Sequence, residues 1–203
     1  MTKASKLIYQ KADSYSKLAK KLGYRSRSSL KLVEILEKDS FLKSGSFVLD
    51  LGSSPGGWSQ VAQKKVGKRG VIFGVDPKPM EPILGVTFIQ KKIKDLTEND
   101  FKIKGKTINS FNIVFSDIAP NISGISSRDD ALMVRLLENV KIIINSFLEP
   151  NGVTLVKAFQ GESLDNMMIY MKSRFQKVRI RKPASSRANS REVYILGMKK
   201  INE

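Results

Sequence analysis

The sequence predicts an α/β domain built on a mostly parallel sheet. Short apolar segments alternate with longer amphipathic ones along most of the chain, and short connections join them. Such alternation is typical of parallel sheets whose crossover connections are helices. A glycine-rich turn follows the first apolar segment, and polar residues directly follow several others. Ligands of such domains bind at the carboxyl ends of the strands, so we expect a site at that edge.

The first half of the domain begins with a helix. Residues 29–36 carry leucine and valine on one side at helical spacing. The apolar run 47–51 predicts a buried strand, because it is short and ends in the glycine-rich turn. A helix is predicted at 58–66, a second strand at 70–75 and a weak third strand at 87–89.

The second half repeats the pattern. Residues 112–115 predict a fourth strand, and 130–147 predict a helix with one apolar face. Pro150-Asn151-Gly152 is typical of a turn. After it come a fifth strand, a helix and two closing strands, predicted at residues 153–156, 164–175, 178–180 and 193–196.

Composition restricts the chemistry. The 203 residues include 36 Lys plus Arg and 19 Asp plus Glu, a formal net charge of +17, so a polyanionic partner is expected. Cysteine and histidine are absent, which excludes disulfides, thiolate or imidazole metal sites and Ser-His-Asp chemistry. A catalytic proton acceptor must be a carboxylate, lysine, tyrosine or water. No signal peptide or membrane span is visible, and we expect a cytoplasmic protein without a membrane partner.

The glycine-rich turn is the most specific local signal. Its glycines, in Asp50 to Trp58, follow the spacing Gly-x-x-x-Gly-Gly, which is neither the dinucleotide fingerprint nor a phosphate-binding Walker loop. Asp76 ends the second predicted strand, where a carboxylate can accept both hydroxyl hydrogens of a ribose. The turn and this acid together favour a nucleoside ligand without a pyrophosphate.

Polar residues after four predicted strands should meet at one edge. A single acid after a strand is more often a helix cap or a turn former. Four polar residues in register favour a site instead. They are Asp50, Asp76, Asp117 and Lys157.

Five blocks of the sequence resemble motifs of the RrmJ/FtsJ methyltransferases. They are Tyr24 to Ser28 with Lys31-Leu32, Asp50 to Gln60, Ser116 to Gly124, Val156 to Gly161, and Arg181 to Tyr194. The resemblance runs in order from about residue 15 to the end. It implies a Rossmann-like S-adenosylmethionine-dependent methyltransferase fold, with a mostly parallel seven-stranded sheet and helices on both faces. Residues 1–28 are rich in lysine and arginine, so we expect a basic RNA-binding arm there, followed by one methyltransferase domain at 29–203.

The resemblance further assigns roles to residues. It implies a catalytic tetrad of Lys31, Asp117, Lys157 and Glu192. S-adenosyl-L-methionine would be the cofactor, with Asp76 on its ribose. The residues expected to bind it are Gly52, Pro55, Gly56, Gly57, Trp58, Asp76 and Asp117. The family usually has an acid after the third strand, near the adenine, but here Lys92 stands at that position and Asp95 is the nearest carboxylate.

Chemistry favours Lys157 as the base. Methyl transfer to a hydroxyl requires alignment and removal of a proton. A lysine can take the proton if burial and a second lysine lower its pKa, and Lys157 ends an apolar strand. Asp117 would position it, with Lys31 and Glu192 in support.

Basic segments flank Lys31 and Glu192, as phosphate contacts near a ribose-modifying site require. The residues expected to bind RNA are Lys20, Lys21, Arg25, Arg27, Arg181, Lys182, Arg187 and Arg191. Aromatic residues for stacking are sparse, so we expect the protein to recognise the folded shape of an RNA more than its unstacked bases.

By resemblance, the expected reaction is 2′-O-methylation of a uridine ribose in 23S rRNA, within the 50S subunit or a late precursor. No metal is expected, and neither is an oligomer. Two alternatives stay open: a tRNA or messenger-cap ribose as substrate, or a non-catalytic RNA-binding protein of ribosome assembly.

Overall fold

The computed structural model describes residues 14–187 and 189–202. The start of the predicted arm, residues 1–13, lies outside the described residues. Seven strands form one sheet in the order β3-β2-β1-β6-β7-β9-β8. They are β1 (Phe47–Leu51), β2 (Val71–Val75), β3 (Thr87–Ile89), β6 (Phe111–Ser116), β7 (Leu148–Phe159), β8 (Phe175–Arg181) and β9 (Glu192–Lys200).

The sheet is parallel except at β9, which runs antiparallel to both β7 and β8. The predicted fold class is therefore confirmed. A small antiparallel hairpin, β4 (Lys102–Ile103) with β5 (Lys106–Thr107), was not predicted. Its strands are two residues long and rich in lysine, so no apolar run marks them.

Helices cover both faces of the sheet. On one face, α2 (Ser28–Lys38) and α3 (Gly57–Val66) enclose a core that includes Leu32, Trp58 and Phe115. On the other face lie α4 (Ser126–Phe147) and α5 (Glu162–Arg174), which bury residues such as Met133 and Met167. Burying both faces explains why the central strands are almost wholly apolar.

Several predicted features of the second half differ from the structure, where β8 and β9 are also longer than predicted. Pro150-Asn151-Gly152 is a bulge inside β7, where the register with β6 shifts from Phe111↔Leu148 to Ile113↔Val153. Helix α4 begins four residues before the predicted start. Asp129 binds the backbone N–H groups of Ser123 and Gly124, and so fixes the loop that enters the helix.

The described part of the predicted arm packs on the domain. Residues 14–21 form helix α1, whose Ala19 is buried. The backbone N–H of Arg25 then donates to Gln60 Oε1 of α3 at 2.8 Å. Of the helices that the structure describes, none is long and apolar enough to cross a membrane.

Candidate active site

Three polar residues lie side by side at the carboxyl edge of the sheet. Leu51 pairs with Val75 and Ser116, and Ser116 pairs with Val156. The residues that follow these partners are Asp76, Asp117 and Lys157, so sheet register places them at one level. The Nζ atom of Lys157 lies 3.1 Å from Asp117 Oδ1 and donates to the Asp117 carbonyl oxygen at 2.6 Å.

Asp50 is not at this edge, and that prediction was wrong. It belongs to β1, one residue before the strand ends, and it is fully buried. Its Oδ2 accepts a hydrogen bond of 2.6 Å from Ser59 Oγ of α3. Burial, opposed by this bond and reinforced by Asp117 and Asp76, raises the pKa of Asp50 to about 7.

The four tetrad residues come together from four elements. Lys31 projects from α2, and its Nζ donates to Glu192 Oε2 of β9 at 2.8 Å. The Asp117–Lys157 pair lies beside them, with Asp117 directly after β6 and Lys157 within β7. Both lysines are 5% exposed, so each ammonium group is held in a largely dry site.

Tyr194 joins the two pairs, and sequence reasoning missed it. Its hydroxyl donates to Asp117 Oδ1 at 2.9 Å and accepts from Lys31 Nζ at 3.3 Å. The residue is fully buried, and its ring lies 5.5 Å from that of Trp58. Burial first, then the charges of Asp117 and Glu192, raise the pKa of Tyr194 well above its usual value, so the hydroxyl keeps its proton.

Glu192 stays ionised in this setting. Its burial favours the protonated acid, but Lys31 and then Lys157 outweigh that effect and hold the pKa of Glu192 below its usual value. The site therefore presents two lysines, two carboxylates and one neutral phenol. Such a set can orient a hydroxyl and exchange a proton with it.

The glycine-rich turn (residues 52–57) is packed too tightly for larger side chains. Gly52 has φ +78°, and a Cβ atom there would lie 2.8 Å from Ile118 Cγ1. A Cβ at Gly57 would lie 2.1 Å from Ser26 Oγ. Pro55 lies between these glycines in a cis peptide with Ser54. Gly56, at φ +108°, precedes the first residue of α3.

Trp58 has a packing role that the sequence did not reveal. Its side chain is 2% exposed, stands edge-on to Phe115 and donates from Nε1 to the Ser28 carbonyl at 2.9 Å. The indole therefore anchors the start of α2, the helix that carries Lys31. The indole lies in the core, and the predicted contact of Trp58 with the cofactor stays a prediction.

Asp76 is fixed with its carboxylate at the turn. It accepts backbone N–H groups from Ser54 at 3.1 Å and Lys78 at 2.8 Å. Next to it opens a cavity of about 520 Å³, lined by Pro77, Gln90, Lys91, Lys92 and Asp95. A fixed carboxylate beside this cavity fits the ribose of a nucleoside, whose base would lie toward Lys92 and Asp95.

A second cavity, the active-site cavity, opens beside the tetrad. It measures about 700 Å³, and its lining includes Arg27, Lys31, Arg187, Ser190 and Glu192. Partial burial and the neighbouring charge of Arg187 lower the pKa of Arg27, so two guanidinium groups lie close together. Neither has a hydrogen-bond or ion-pair partner among residues 14–187 and 189–202.

Other arginines expected to bind RNA have partners within the protein. Arg25 donates to the carbonyls of Pro55, Glu81 and Pro82. Arg181 forms an ion pair with Asp39, and Arg191 donates to Gln160 and Ser126. Their guanidinium groups hold loops in place, which leaves fewer donors for phosphate. Lys182 Nζ donates to the Ser190 carbonyl at 3.1 Å, whereas Lys20 and Lys21 are exposed on α1.

No cluster of three or more acidic side chains that could hold a metal ion occurs among the described residues.

The sheet order, the glycine-rich turn and the acid after β2 define an α/β methyltransferase. Residues 24–200 match the model of the FtsJ-like methyltransferases. The chain belongs to this family.

Solved structures agree with this assignment. A protein named as a ribosomal RNA methyltransferase from Plasmodium falciparum is 30% identical, with a TM-score of 0.78 over 89% of this chain and 100% of that chain. A protein named as an rRNA methylase from Clostridium thermocellum is 18% identical, with a TM-score of 0.53 over 85% and 97% of the two chains. Aeropyrum pernix fibrillarin, solved with bound S-adenosyl-L-methionine, is 15% identical, with a TM-score of 0.57 over 86% and 75%. The last two show likeness of fold alone.

Proposed function

We propose that the protein methylates the 2′-hydroxyl of a ribose in RNA, using S-adenosyl-L-methionine, and that its substrate is a uridine of 23S rRNA. The observation that carries the proposal is the buried cluster of Lys31, Glu192, Tyr194, Asp117 and Lys157. The cluster lies between a nucleoside-sized site and a basic cavity. Membership in the family and the likeness to a protein named as a ribosomal RNA methyltransferase support an RNA substrate.

The cofactor would lie across the glycine-rich turn. Asp76 would hold its ribose, and Asp117 would face its amino acid end. When bound, S-adenosyl-L-methionine supplies a methyl group on a positively charged sulfur, which is already a good leaving group. The chain's own residues therefore have two tasks, to align the hydroxyl and to take its proton.

Lys157 is the residue proposed to take the proton. Its ammonium group lies beside Asp117, the residue that follows β6. It contacts the side-chain Oδ1 of Asp117 and donates to the backbone carbonyl oxygen of the same residue. As a base it must act as the free amine, so the rate should rise with pH. Lys31, held by Glu192, would place a positive charge opposite the hydroxyl oxygen as that oxygen becomes an anion.

Arg27 and Arg187 are proposed to bind the phosphates beside the target ribose. They are the guanidinium groups of the active-site cavity without a partner in the described chain, and they lie next to Glu192. An anion between them would relieve their mutual repulsion. This supports a polynucleotide substrate over a small neutral alcohol.

The test is methyl transfer from isotope-labelled cofactor. Free 23S rRNA, 50S particles, tRNA and capped RNA are offered in parallel, and the products are digested to nucleosides. We expect label in 2′-O-methyluridine from large-subunit rRNA. The variant Lys102→Met, at an exposed lysine of the β4–β5 hairpin, serves as the control and should transfer normally. Label on a base, or in another RNA only, would contradict the proposal, and so would cofactor binding without transfer to any RNA.

A further inference from the structure

A third cavity lies at the opposite edge of the sheet. This distal cavity measures about 700 Å³ and opens where α2 ends and where β6 begins. The β7 bulge and the end of β9 complete its wall. Its basic lining residues are Lys38, Lys43, Lys177, Arg179 and Lys199, against the acids Asp39 and Glu149.

Both acids of the distal cavity, Asp39 and Glu149, already have hydrogen-bond partners in the chain. Asp39 Oδ1 accepts from Arg179 at 2.6 Å and from Arg181 at 2.8 Å, and these arginines lower the pKa of Asp39. Glu149 Oε1 accepts from the Asn112 amide at 2.5 Å. The four lysines have neither a carboxylate nor another hydrogen-bond partner for their ammonium groups within the described chain. The cavity therefore has an excess of positive charge.

A line of cations connects the distal cavity to the active-site cavity. Arg179 and Arg181 share Asp39, and Lys182, the next residue, reaches the Ser190 carbonyl. Ser190 lines the active-site cavity together with Arg187. The seven residues of β8 cover about 20 Å at the usual rise of a strand. A phosphate chain that leaves the active site along β8 would pass Lys182 and then Arg179 and Arg181, which together keep one net positive charge after their ion pairs with Asp39.

Two of the three described residues other than glycine that have a positive φ lie at the same place, and the third is Lys104 in the β4–β5 hairpin. Asn151 has φ +61° and Lys199 has φ +59°, a conformation that side chains other than glycine rarely adopt. Both residues line the distal cavity, Asn151 from the β7 bulge and Lys199 from the end of β9. Such strain recurs at sites that bind ligands.

We propose that the distal cavity is a second phosphate-binding site, occupied by the backbone of the same RNA whose ribose is methylated. The proposal rests on the function proposed above and adds a minimum length for the RNA substrate. The RNA must extend about 20 Å from the target ribose, or about six stacked nucleotides at 3.4 Å each. The connecting cations favour this occupant over a free anion.

The test compares RNAs that can and cannot span the distance. Labelled oligouridylates of about 4 and about 16 nucleotides are titrated by fluorescence anisotropy at several salt concentrations. The probe protein is Lys43→Gln/Lys177→Gln, and the matched control is Lys102→Gln/Lys106→Gln, which removes the same charge on the β4–β5 hairpin. For the longer RNA the probe should lose about 1.4 from its salt slope, two contacts of about 0.7 each. Binding of the shorter RNA should not change.

Three outcomes would overturn the second site: an unchanged slope with the longer RNA, an equal loss with the shorter one, or an equal loss in the control. Methyl transfer by the wild-type chain is measured alongside. A wild type that transfers to rRNA, with a probe variant that binds normally, would sink the second site alone. A wild type that binds the longer RNA but never transfers would sink the proposed function instead.

Discussion

Among the described residues, the hydroxyl of Tyr194 is the side-chain contact shared by the two lysine–carboxylate pairs of the site. Without it, Lys31 would keep Glu192 and Lys157 would keep Asp117, but only the backbone pairing of β7 with β9 would hold one pair against the other. The hydroxyl is neutral and buried, so it holds Lys31 and Asp117 in place and adds no charge to the site. We therefore regard Tyr194 as a positioning residue.

Tyr194→Phe should lower kcat about tenfold, the usual cost of one hydrogen bond to a charged group. Its ring would still pack on Trp58, so folding and cofactor affinity should hold. Asp117 would then interact more strongly with the Lys157 ammonium, so the pH–rate profile should shift to higher pH. Tyr170→Phe removes a hydroxyl that binds Asn145, far from the site, and is the control. Equal kcat and an unshifted profile would show that Tyr194 serves packing only.

Lys157→Met should reduce methyl transfer by about 10²–10⁴, the range for loss of a general base. Methionine fills similar space, and Asp117 keeps its bond from Tyr194. Calorimetry should therefore give nearly the same cofactor affinity. Transfer above about a tenth of wild type, in the same assay, would remove Lys157 as the base.

The sequence predicted the tetrad through its resemblance to a family. The structure holds the four residues as two ion pairs bridged by Tyr194, and their catalytic roles stay a prediction. Tyr194 escaped prediction because it lies in the apolar run after Glu192. Alternation along a strand was the available signal, since residues two apart share a face. The Asp39–Arg181 pair had no signal at all, because its partners are 142 residues apart.

At the scale of elements, the end of a strand decides what a residue can do. Asp76 and Asp117 follow their strands and reach the edge. Asp50 was predicted to join them, but β1 continues to Leu51 and turns Asp50 into the core. One additional residue at the end of a strand therefore decides whether an acid faces the ligand or the core. The apolar pattern of the sequence does not locate a strand end to within one residue.

The acid of β1 should make stability depend on pH. Burial raises the pKa of Asp50 to about 7 in the folded chain, from 3.8 for an ordinary aspartate. Between these values the folded chain holds a proton that the unfolded chain has lost. The free energy of unfolding therefore falls as pH rises from about 4 to 7, by about 1 kcal/mol per unit. Asp50→Asn should remove this slope in urea unfolding, whereas Asp165→Asn, at an exposed acid of α5, should keep it. Parallel curves for all three chains would contradict the assignment.

Asp76, which directly follows β2, allows a test of cofactor binding. Asp76→Ala should weaken binding of S-adenosyl-L-methionine by about 1–3 kcal/mol, because hydrogen bonds to a charged acceptor would be lost. Calorimetry measures this directly, with Asp95→Ala compared for the base end. Unchanged affinity in Asp76→Ala would make Asp76 a turn residue that only binds Ser54 and Lys78.

For the whole molecule, the predicted fold class was right because the alternation of strands and helices is a property of the full chain. The arm was harder to predict. Its loose periodicity suggested a separate segment, yet Ala19 is buried and Arg25 binds α3, so the described part belongs to the domain. Contacts of this kind depend on tertiary structure and leave no local pattern.

The exposed lysines of α1 should contribute to RNA binding without affecting the fold. Lys20→Gln/Lys21→Gln should lower the salt slope of RNA binding by about 1.4–1.8, from two lost phosphate contacts. Cofactor affinity should stay the same, since neither residue borders the glycine-rich turn. Titration of the longer oligouridylate at several salt concentrations measures the slope. A slope equal to that of wild type would place the RNA along β8 alone.

The antiparallel strand β9 has a consequence for how the protein becomes active during its synthesis. The ribosome makes the chain from its N-terminus, so Lys31, Asp117 and Lys157 emerge well before Glu192 and Tyr194. Lys31 meets these last two across 161 and 163 residues. Pairings over such distances form late. A growing chain would hold the cofactor turn and three of the four tetrad residues while still unable to act on an RNA substrate. Activity would begin in a single step, when β9 inserts between β7 and β8.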